Sequence, residues 1–205
     1  SGNITTLTAG RNIGRIGETG VILVRGNLGG VSIPTGSLYN DIRVGGAITS
    51  PVNIGRSSGK PEKNEISTGS IIAFSRIATV TIAGDFGGDI ISYSGGIGTV
   101  TITNGSFMPN RRIAAFDGSI TNLTINNGNL YGNVHADFDI TALNVTAGTD
   151  GTFGDVGVNP NFSSAVPVTG DTFRNQLPPG VSQSSAYQGP SITAGRNIVK
   201  FAVSN

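Results

Sequence analysis

A six-residue pattern recurs four times within residues 77–153 and constrains the fold more than any other feature. It consists of an isoleucine, two small or polar residues, an aliphatic residue, a polar residue and a second aliphatic residue. The copies begin at Ile77, Ile97, Ile120 and Ile140, and these starts are 20, 23 and 20 residues apart. A period near 20 residues is typical of a solenoid, in which each coil buries its apolar face only by stacking on the next coil.

A short apolar segment that ends in an aromatic residue precedes each copy of the pattern. The alternation of apolar residues in this segment predicts a second strand in every coil. If the coils stack, the aromatic residues form a ladder along the solenoid; they are Phe74, Tyr93, Phe116 and Phe138.

A glycine follows each of the first three copies, and a large apolar residue comes two positions later. The glycines are Gly84, Gly105 and Gly128, and the apolar residues are Phe86, Phe107 and Leu130. Glycine adopts positive φ without steric cost, so we expect these glycines to supply that conformation at a tight corner. The apolar residue is expected to turn back into the core.

No stretch of ten residues shows the 3.6-residue period of an amphipathic helix, whereas period-2 alternation is common. Residues 4–9 are predicted to be an early copy of the pattern, and residues 21–24 and 41–44 to be degenerate copies. We therefore expect an all-β fold, a right-handed parallel β-helix (β-solenoid) with coils of ~20 residues.

The composition divides the chain into three parts. Residues 1–153 are predicted to form the solenoid, and residues 55–65, which carry five charges, an exposed loop on it. Residues 154–190 contain five of the nine prolines and lack the period. This Pro/Gly/Ser-rich segment is predicted to be irregular, either lying along the solenoid or serving as a linker. Residues 191–205 are predicted to form a final strand that resembles the first coil.

One hexapeptide occurs twice, 185 residues apart. The first copy is Thr8, Ala9, Gly10, Arg11, Asn12 and Ile13, and the second is Thr193, Ala194, Gly195, Arg196, Asn197 and Ile198. One interpretation is a tandem array whose unit is about as long as this spacing. A second is that the C-terminal strand adds to the N-terminal coil of a neighbouring copy, which would make the hexapeptides self-association sites. A third is that two coils of one solenoid simply resemble each other.

His135, Asp137 and Asp139 alternate with apolar residues, and strand periodicity predicts that all three face outward. Such a row could serve as an acid–base pair or hold a cation, although a solvated strand face has the same sequence. The equivalent outward positions in other coils are predicted to be Ile72, Ser92 and Ala114. A cluster across several coils, as a polysaccharide-cleaving enzyme requires, is therefore not expected, and we predict no catalytic residue and no cofactor.

The overall composition limits the classes of partner. The chain has no cysteine and a formal net charge of +1, so neither a thiolate metal site nor attraction to nucleic acid is expected. No apolar run approaches the ~18 residues of a membrane span, so no membrane insertion is predicted. The first residue is Ser1 and not methionine, which is consistent with a processed or excised chain and with export.

The Ile-x-x-Leu-Thr-x-x-Gly pattern and the Thr-Ala-Gly-Arg-Asn-Ile hexapeptide resemble the coils of right-handed parallel β-helices in large bacterial surface and secreted proteins, the filamentous haemagglutinin and adhesin type. The resemblance covers most of residues 4–153 and consists of the period and of the placement of Gly, Asn and Thr. It implies an extracellular or cell-surface, elongated structural or adhesive role, and it transfers no functional residue.

The sequence favours a non-enzymatic extracellular structural subunit that associates end to end with copies of itself. It would be a filament or sheath protein, or one module of a long surface protein, because an open solenoid end must be capped or paired. One alternative is a β-helix that binds or cleaves carbohydrate, like polysaccharide lyases and phage tailspikes. Another is a surface adhesin that binds its ligand through residues 55–65.

Overall fold

The computed structural model describes residues 2–55, 66–146 and 192–204, and the chain in these ranges forms a parallel β-solenoid without a helix. Its largest sheet has eight strands, each paired in parallel with the strand one coil away. In stacking order they are β1 (Ile4–Thr8), β3 (Leu28–Ile33), β5 (Val52–Ile54), β7 (Ile77–Ala83), β9 (Ile97–Thr103), β11 (Ile120–Asn126), β13 (Ile140–Thr146) and β15 (Ile198–Ser204).

A second sheet has seven shorter strands and runs alongside the first. Its strands are β2 (Val21–Val24), β4 (Asp41–Val44), β6 (Ile71–Ala73), β8 (Ile90–Ser92), β10 (Arg112–Ala115), β12 (Asn133–Ala136) and β14 (Ile192–Ala194). Isolated parallel β-bridges, each between one pair of residues, form the third side of the coil. One bridge joins Ile13 to Leu38, and three more join Ser67 to Phe86, Phe86 to Phe107 and Phe107 to Leu130.

The register gives about six turns of ~23 residues between Ile4 and Ile140. The first position of the pattern is Leu28 in the second coil and Ile48 in the third, and the turns vary in length while this position stays aligned. The fold class predicted from the period is thus confirmed. The right-handed sense of the coil stays a prediction.

The structure corrects the assignment of the first coils. Val21–Val24 and Asp41–Val44 lie in the seven-stranded sheet, so they belong with the second strands of later coils and are not copies of the main pattern. The true copies are Leu28–Ile33 and Val52–Ile54. The glycines at the second and third positions of Leu28–Ile33 conceal the pattern, because glycine has low strand propensity.

The core is a set of stacked columns built from the inward positions of the pattern. In β9 these are Ile97, Val100 and Ile102, all fully buried. The residues between them are half-buried and outward. On the third side, Phe86 and Phe107 are buried with their rings stacked at 6.1 Å between centroids. The expectation that these apolar residues turn inward is confirmed.

The corners directly after β5, β7, β9 and β11 each contain one residue of positive φ, which is a glycine after β5 and β7 and an asparagine after β9 and β11. Gly84 has a φ of 103°, whereas in the next two coils Asn104 (54°) and Asn127 (56°) take this conformation. The expectation for Gly105 and Gly128 is therefore wrong. These glycines are required by close approach instead, since a Cβ on Gly128 would overlap the carbonyl oxygen of Gly105 in the coil below.

Candidate functional site

At most corners of the solenoid a polar residue stands immediately before the first inward residue of the next strand. Its side-chain oxygen accepts a hydrogen bond from the backbone N–H of the equivalent residue one coil further on. Asn3 accepts from Asn27 (2.8 Å), and Asn27 accepts from Ala47 (2.8 Å). We call these residues the corner acceptors. Further acceptors are Asn12, Asp41, Ser70, Asp85, Asp89, Ser106 and Ser119.

The corner acceptors are not among the residues predicted above, although the sequence contains a signal for them. Asn, Asp or Ser stands directly before an aliphatic or aromatic residue at most strand starts, as in Asn27-Leu28 and Asp89-Ile90. Short polar side chains that bond to neighbouring backbone are the usual residues at such turns. Within one coil they resemble ordinary turn residues, and only the stacking shows that they join coils.

The first hexapeptide copy lies in the first coil, at the corner between the eight-stranded sheet and the third side. The side chain of Asn12 accepts the N–H of Ser37 at 2.9 Å, and the hydroxyl of Thr35 donates to the carbonyl of Gly10. Both contacts come from the second coil. This copy therefore faces the stack on one side, and the other side belongs to the N-terminal end.

The second hexapeptide copy lies in the last described coil, at a different corner, between the seven-stranded and the eight-stranded sheets. Its contacts come from the preceding coil. The N–H of Gly195 donates to the carbonyl of Ala136 at 2.9 Å, and the side-chain amide of Asn197 donates to Asp139 Oδ1 at 3.1 Å. The two copies thus occupy opposite ends of the stack and non-equivalent corners, and they share the role of corner residues, with Asn12 and Asn197 each preceding an inward isoleucine.

The N-terminal end exposes apolar side chains that are buried in the middle of the stack. Ile4 and Leu7 hold the inward positions of β1 but are only half-buried. On β2 the outward residues Val21 and Leu23 are also exposed, by 55% and 66%, and their register partners in the next coil are the charged residues Asp41 and Arg43. The chain as described places no strand beyond β1 or β2 on this side.

The C-terminal end of the stack likewise has inward apolar side chains that are only partly buried. Ile198 and Phe201 hold the inward positions of β15 and are half-buried. Val203 continues the column of Val145, and its exposed fraction is 38% against 2% for Val145. In the two sheets as described, β14 and β15 are the terminal strands on this side. Each end of the described stack therefore presents a terminal strand in each sheet, together with inward apolar side chains that are only partly buried.

His135 joins the last coil to the one before it. Its Nδ1 lies 2.7 Å from the hydroxyl of Thr193, and its Nε2 lies 2.7 Å from Asp137 Oδ1. A hydroxyl, an imidazole and a carboxylate in a row can activate a nucleophile. Here the side chains of His135 and Asp137 are 37% and 44% exposed, so solvent reaches the row and its evident effect is to hold β14 on β12.

The two aspartates near His135 have separate partners. The backbone N–H of Asp117 donates to the carboxylate of Asp137 at 2.9 Å, and this bond, with the one to His135, lowers the pKa of Asp137. Asp139 instead contacts the guanidinium of Arg196 at 3.4 Å. In residues 2–55, 66–146 and 192–204, no three His, Asp or Glu side chains are grouped so as to hold a metal ion. His135, Asp137 and Asp139 therefore do not converge on one site.

The outward column that contains His135 is mainly apolar in other coils. Its register partners are Ala114, Ile91 and Ile72 in successive coils, and the column continues with Arg43 and Leu23. The prediction that Ser92 lies in this column is wrong by one residue. Ser92 faces inward, fully buried, and its hydroxyl lies 2.6 Å from the carbonyl oxygen of Ser75 and 2.8 Å from that of Gly95, so its single proton has an acceptor.

The predicted aromatic ladder forms only in part, on the outside of the corner between the two sheets. The rings of Tyr93 and Phe116 stack at 6.0 Å between centroids, and Phe116 contacts His135 at 5.4 Å. Phe74 is 58% exposed and Tyr93 is 50% exposed. Phe138 lies one residue out of line and is covered by the guanidinium of Arg196, 4.4 Å from its ring centre. We call these four residues the aromatic corner.

These features define the protein as a parallel β-solenoid whose distinctive surfaces are its two ends and its aromatic corner. Comparison with protein-family models, curated proteins and solved structures gives no match. None of the described residues forms a helix long and apolar enough to cross a membrane. Most of the predicted loop at residues 55–65 and the whole of residues 154–190 lie outside the described residues.

Proposed function

We propose that this protein is an extracellular structural subunit of the filamentous haemagglutinin and adhesin type, which associates end to end with further copies of itself. The observation that carries the proposal is the pair of open ends. In the middle of the stack the inward columns are fully buried, whereas Leu7 and Val203 reach solvent at the two ends.

The physical chemistry of an open end favours association. Unpaired N–H and C=O groups along a strand edge pair readily with another strand, and exposed apolar side chains beside that edge add a hydrophobic contribution. The two ends are different surfaces, so contact between them is head to tail. Head-to-tail contacts that do not close into a ring produce fibres.

A structural role also agrees with the character of the outward column around His135. A β-solenoid that cleaves polysaccharide needs acidic and basic groups gathered on one sheet, whereas in this column Ile72, Ile91 and Ala114 separate Arg43 from His135. That the protein catalyses no reaction stays a prediction, and so does its location outside the cell.

Negative-stain electron microscopy of the 205-residue chain, combined with sedimentation over a range of concentrations, tests the proposal. We expect rods whose length increases with concentration. Val203→Asp places a charge in the open core end and should abolish the rods, because an ionised carboxylate is costly to bury.

Val199→Asp is the matched control. Val199 is on the same strand and is 60% exposed, but it faces outward, so the same charge should leave the rods intact. Single particles at every concentration in the unmodified chain would overturn the proposal. Equal loss of rods in both variants would show that charge alone, and not the core end, determines assembly.

Binding of a polysaccharide is a second candidate, favoured by the aromatic corner. Exposed Phe74 and Tyr93 offer apolar ring surface on which the C–H groups of a sugar can pack. Affinity electrophoresis in gels that contain a polysaccharide tests this candidate. The Phe74→Ala/Tyr93→Ala variant should lose any retardation, and Val199→Ala, at an exposed apolar residue on another surface, should keep it.

A further inference from the structure

The outward face of the eight-stranded sheet differs in charge from the rest of the surface. None of the strands of this sheet from β1 to β13 contains an ionisable side chain. The seven-stranded sheet, in contrast, carries Asp41, Arg43, Arg112 and His135. Depletion of charge distinguishes the centre of a protein–protein contact from ordinary surface better than overall hydrophobicity does.

One outward column on this face consists only of hydroxyl and amide side chains, and we call it the polar column. The register aligns one such residue from each strand between β1 and β13, although the coils differ in length. Its members are Thr8, Ser32, Asn53, Thr81, Thr101, Thr124 and Asn144. The column ends at β15, where Ala202 follows Asn144.

The columns on either side extend this chemistry in the inner coils. The aligned residues are Thr79, Thr99 and Asn122 on one side, and Thr103 and Asn126 on the other. All five are half-buried, as expected of short side chains on a flat sheet. The hydroxyl of Thr124 donates to the side-chain oxygen of Asn122 at 3.3 Å, so groups of neighbouring columns lie within hydrogen-bonding distance.

We propose that this face packs against the same face of a second copy of this chain, so that two solenoids lie side by side. The contact is lateral and goes beyond the proposed function. It uses the side of the stack and not its two ends, and so it does not depend on end-to-end association.

An identical face is a suitable partner because its hydrogen-bonding groups are self-complementary. A threonine hydroxyl both donates and accepts, and an asparagine amide does the same, so a copy of the face supplies a partner for each group. Two uncharged faces do not repel each other, whereas two copies of a face rich in one charge would. Facing sheets with identical short side chains interdigitate and exclude water from the contact.

The face is large enough for a specific contact. The strands from β1 to β13, spaced ~4.8 Å apart, and a depth of about five residues give a surface of roughly 34 by 17 Å. Two such faces bury about 1,200 Å² in total, which is at the lower end of the range for stable protein–protein interfaces.

Sedimentation velocity of a chain that does not associate end to end tests the lateral contact alone. Val203→Asp provides this background, since it is expected to abolish the rods, and we expect this variant to sediment as a dimer. Adding Thr101→Asp or Thr101→Lys should weaken the dimer by about 100-fold or more. Thr101 lies in an inner coil, where a two-fold contact brings the like charges of the two copies together.

A mixture of the two charge variants shows whether the faces meet each other. Opposite charges then lie across the contact, so the dimer should return, which also shows that both variants fold. Ile72→Asp in the same background is the matched control. Ile72 faces outward on the seven-stranded sheet beside Arg43, and this substitution should leave the dimer unchanged.

Recovery of the dimer in the mixture, together with an unaffected control, supports the lateral contact. A Val203→Asp chain that is monomeric, a dimer that survives both charges, or a mixture that stays monomeric would overturn it. Rods of the unmodified chain with a monomeric Val203→Asp variant would leave the proposed function standing, and dimers without rods would do the reverse. A monomer that adsorbs to cellulose powder only with Thr101 intact would overturn the pairing and make a hydroxylated polymer the occupant of the face.

Discussion

The coils in the middle of the stack and the coils at its two ends share a sequence pattern but differ in what surrounds each inward residue. Leu123 and Leu7 hold the same column, yet Leu123 is fully buried and Leu7 is half-buried. The difference arises because an inner coil has a neighbour on both sides, whereas a terminal coil has one. Burial in a solenoid is therefore a property of the position in the stack as well as of the residue.

Truncation of these two leucines gives the largest expected effect. Leu123→Ala should destabilise the fold by about 3–5 kcal/mol, since it removes a buried side chain and leaves a cavity. Leu7→Ala should cost less than half as much, because its site is open. Urea unfolding followed by circular dichroism measures both free energies. Equal losses would contradict the one-sided packing of the first coil.

The corner conformation gives the next effect in size. Asn104 has a φ of 54°, so Asn104→Ala should cost about 1–2 kcal/mol, because alanine disfavours the left-handed region. Asn104→Gly is the matched control and should restore much of the stability, since glycine adopts this conformation freely. A glycine variant that is as unstable as the alanine variant would show that the side-chain bond between Asn104 and Asn127 matters more than φ.

The smallest effect concerns pH at the last coil. Because the folded state lowers the pKa of Asp137 below its ordinary value of 3.8, this carboxylate stabilises the fold above that pH. The contribution is lost as the pH falls through the lowered pKa. Asp137→Asn should cost below about 1 kcal/mol at pH 7, because the group is exposed.

Hydrogen exchange of β14 amides at pH 7 and near pH 3 measures this contribution. The unmodified chain should lose protection at β14 on acidification more than the Asp137→Asn variant does. Asp85→Asn is a useful comparison, since Asp85 accepts the N–H of Ser106 at an inner coil and should leave β14 unaffected. The same acid sensitivity in all three proteins would contradict the assigned contact.

The period of the pattern was sufficient to predict the fold class. Isoleucine, valine and leucine recur at three fixed positions, and only stacked coils bury all three at once. The first coils were misassigned because Gly29 and Gly30 interrupt the pattern of β3 in the sequence. The stack needs a small residue there, since a Cβ on Gly29 would overlap the carbonyl of Thr5.

The candidate sites were predictable only in part. The hexapeptide identity drew attention to residues 8–13 and 193–198, but a local sequence cannot indicate at which corner of a coil it lies. Asn12 accepts the N–H of Ser37 in the following coil, whereas the side-chain amide of Asn197 donates to Asp139 in the preceding coil. The contact of His135 with Thr193 joins residues far apart in sequence, and no local pattern indicates it.

The parallel register also determines how the molecule is expected to fold. From β3 to β13, every main strand pairs with the strand one turn before it and the strand one turn after it, and with no more distant strand of the described sheet. Any two adjacent coils can therefore serve as a nucleus, and order spreads from them in both directions by nearest-neighbour coupling. A defect in one inner coil interrupts that propagation and divides the chain into two cooperative units, each of which melts at its own temperature.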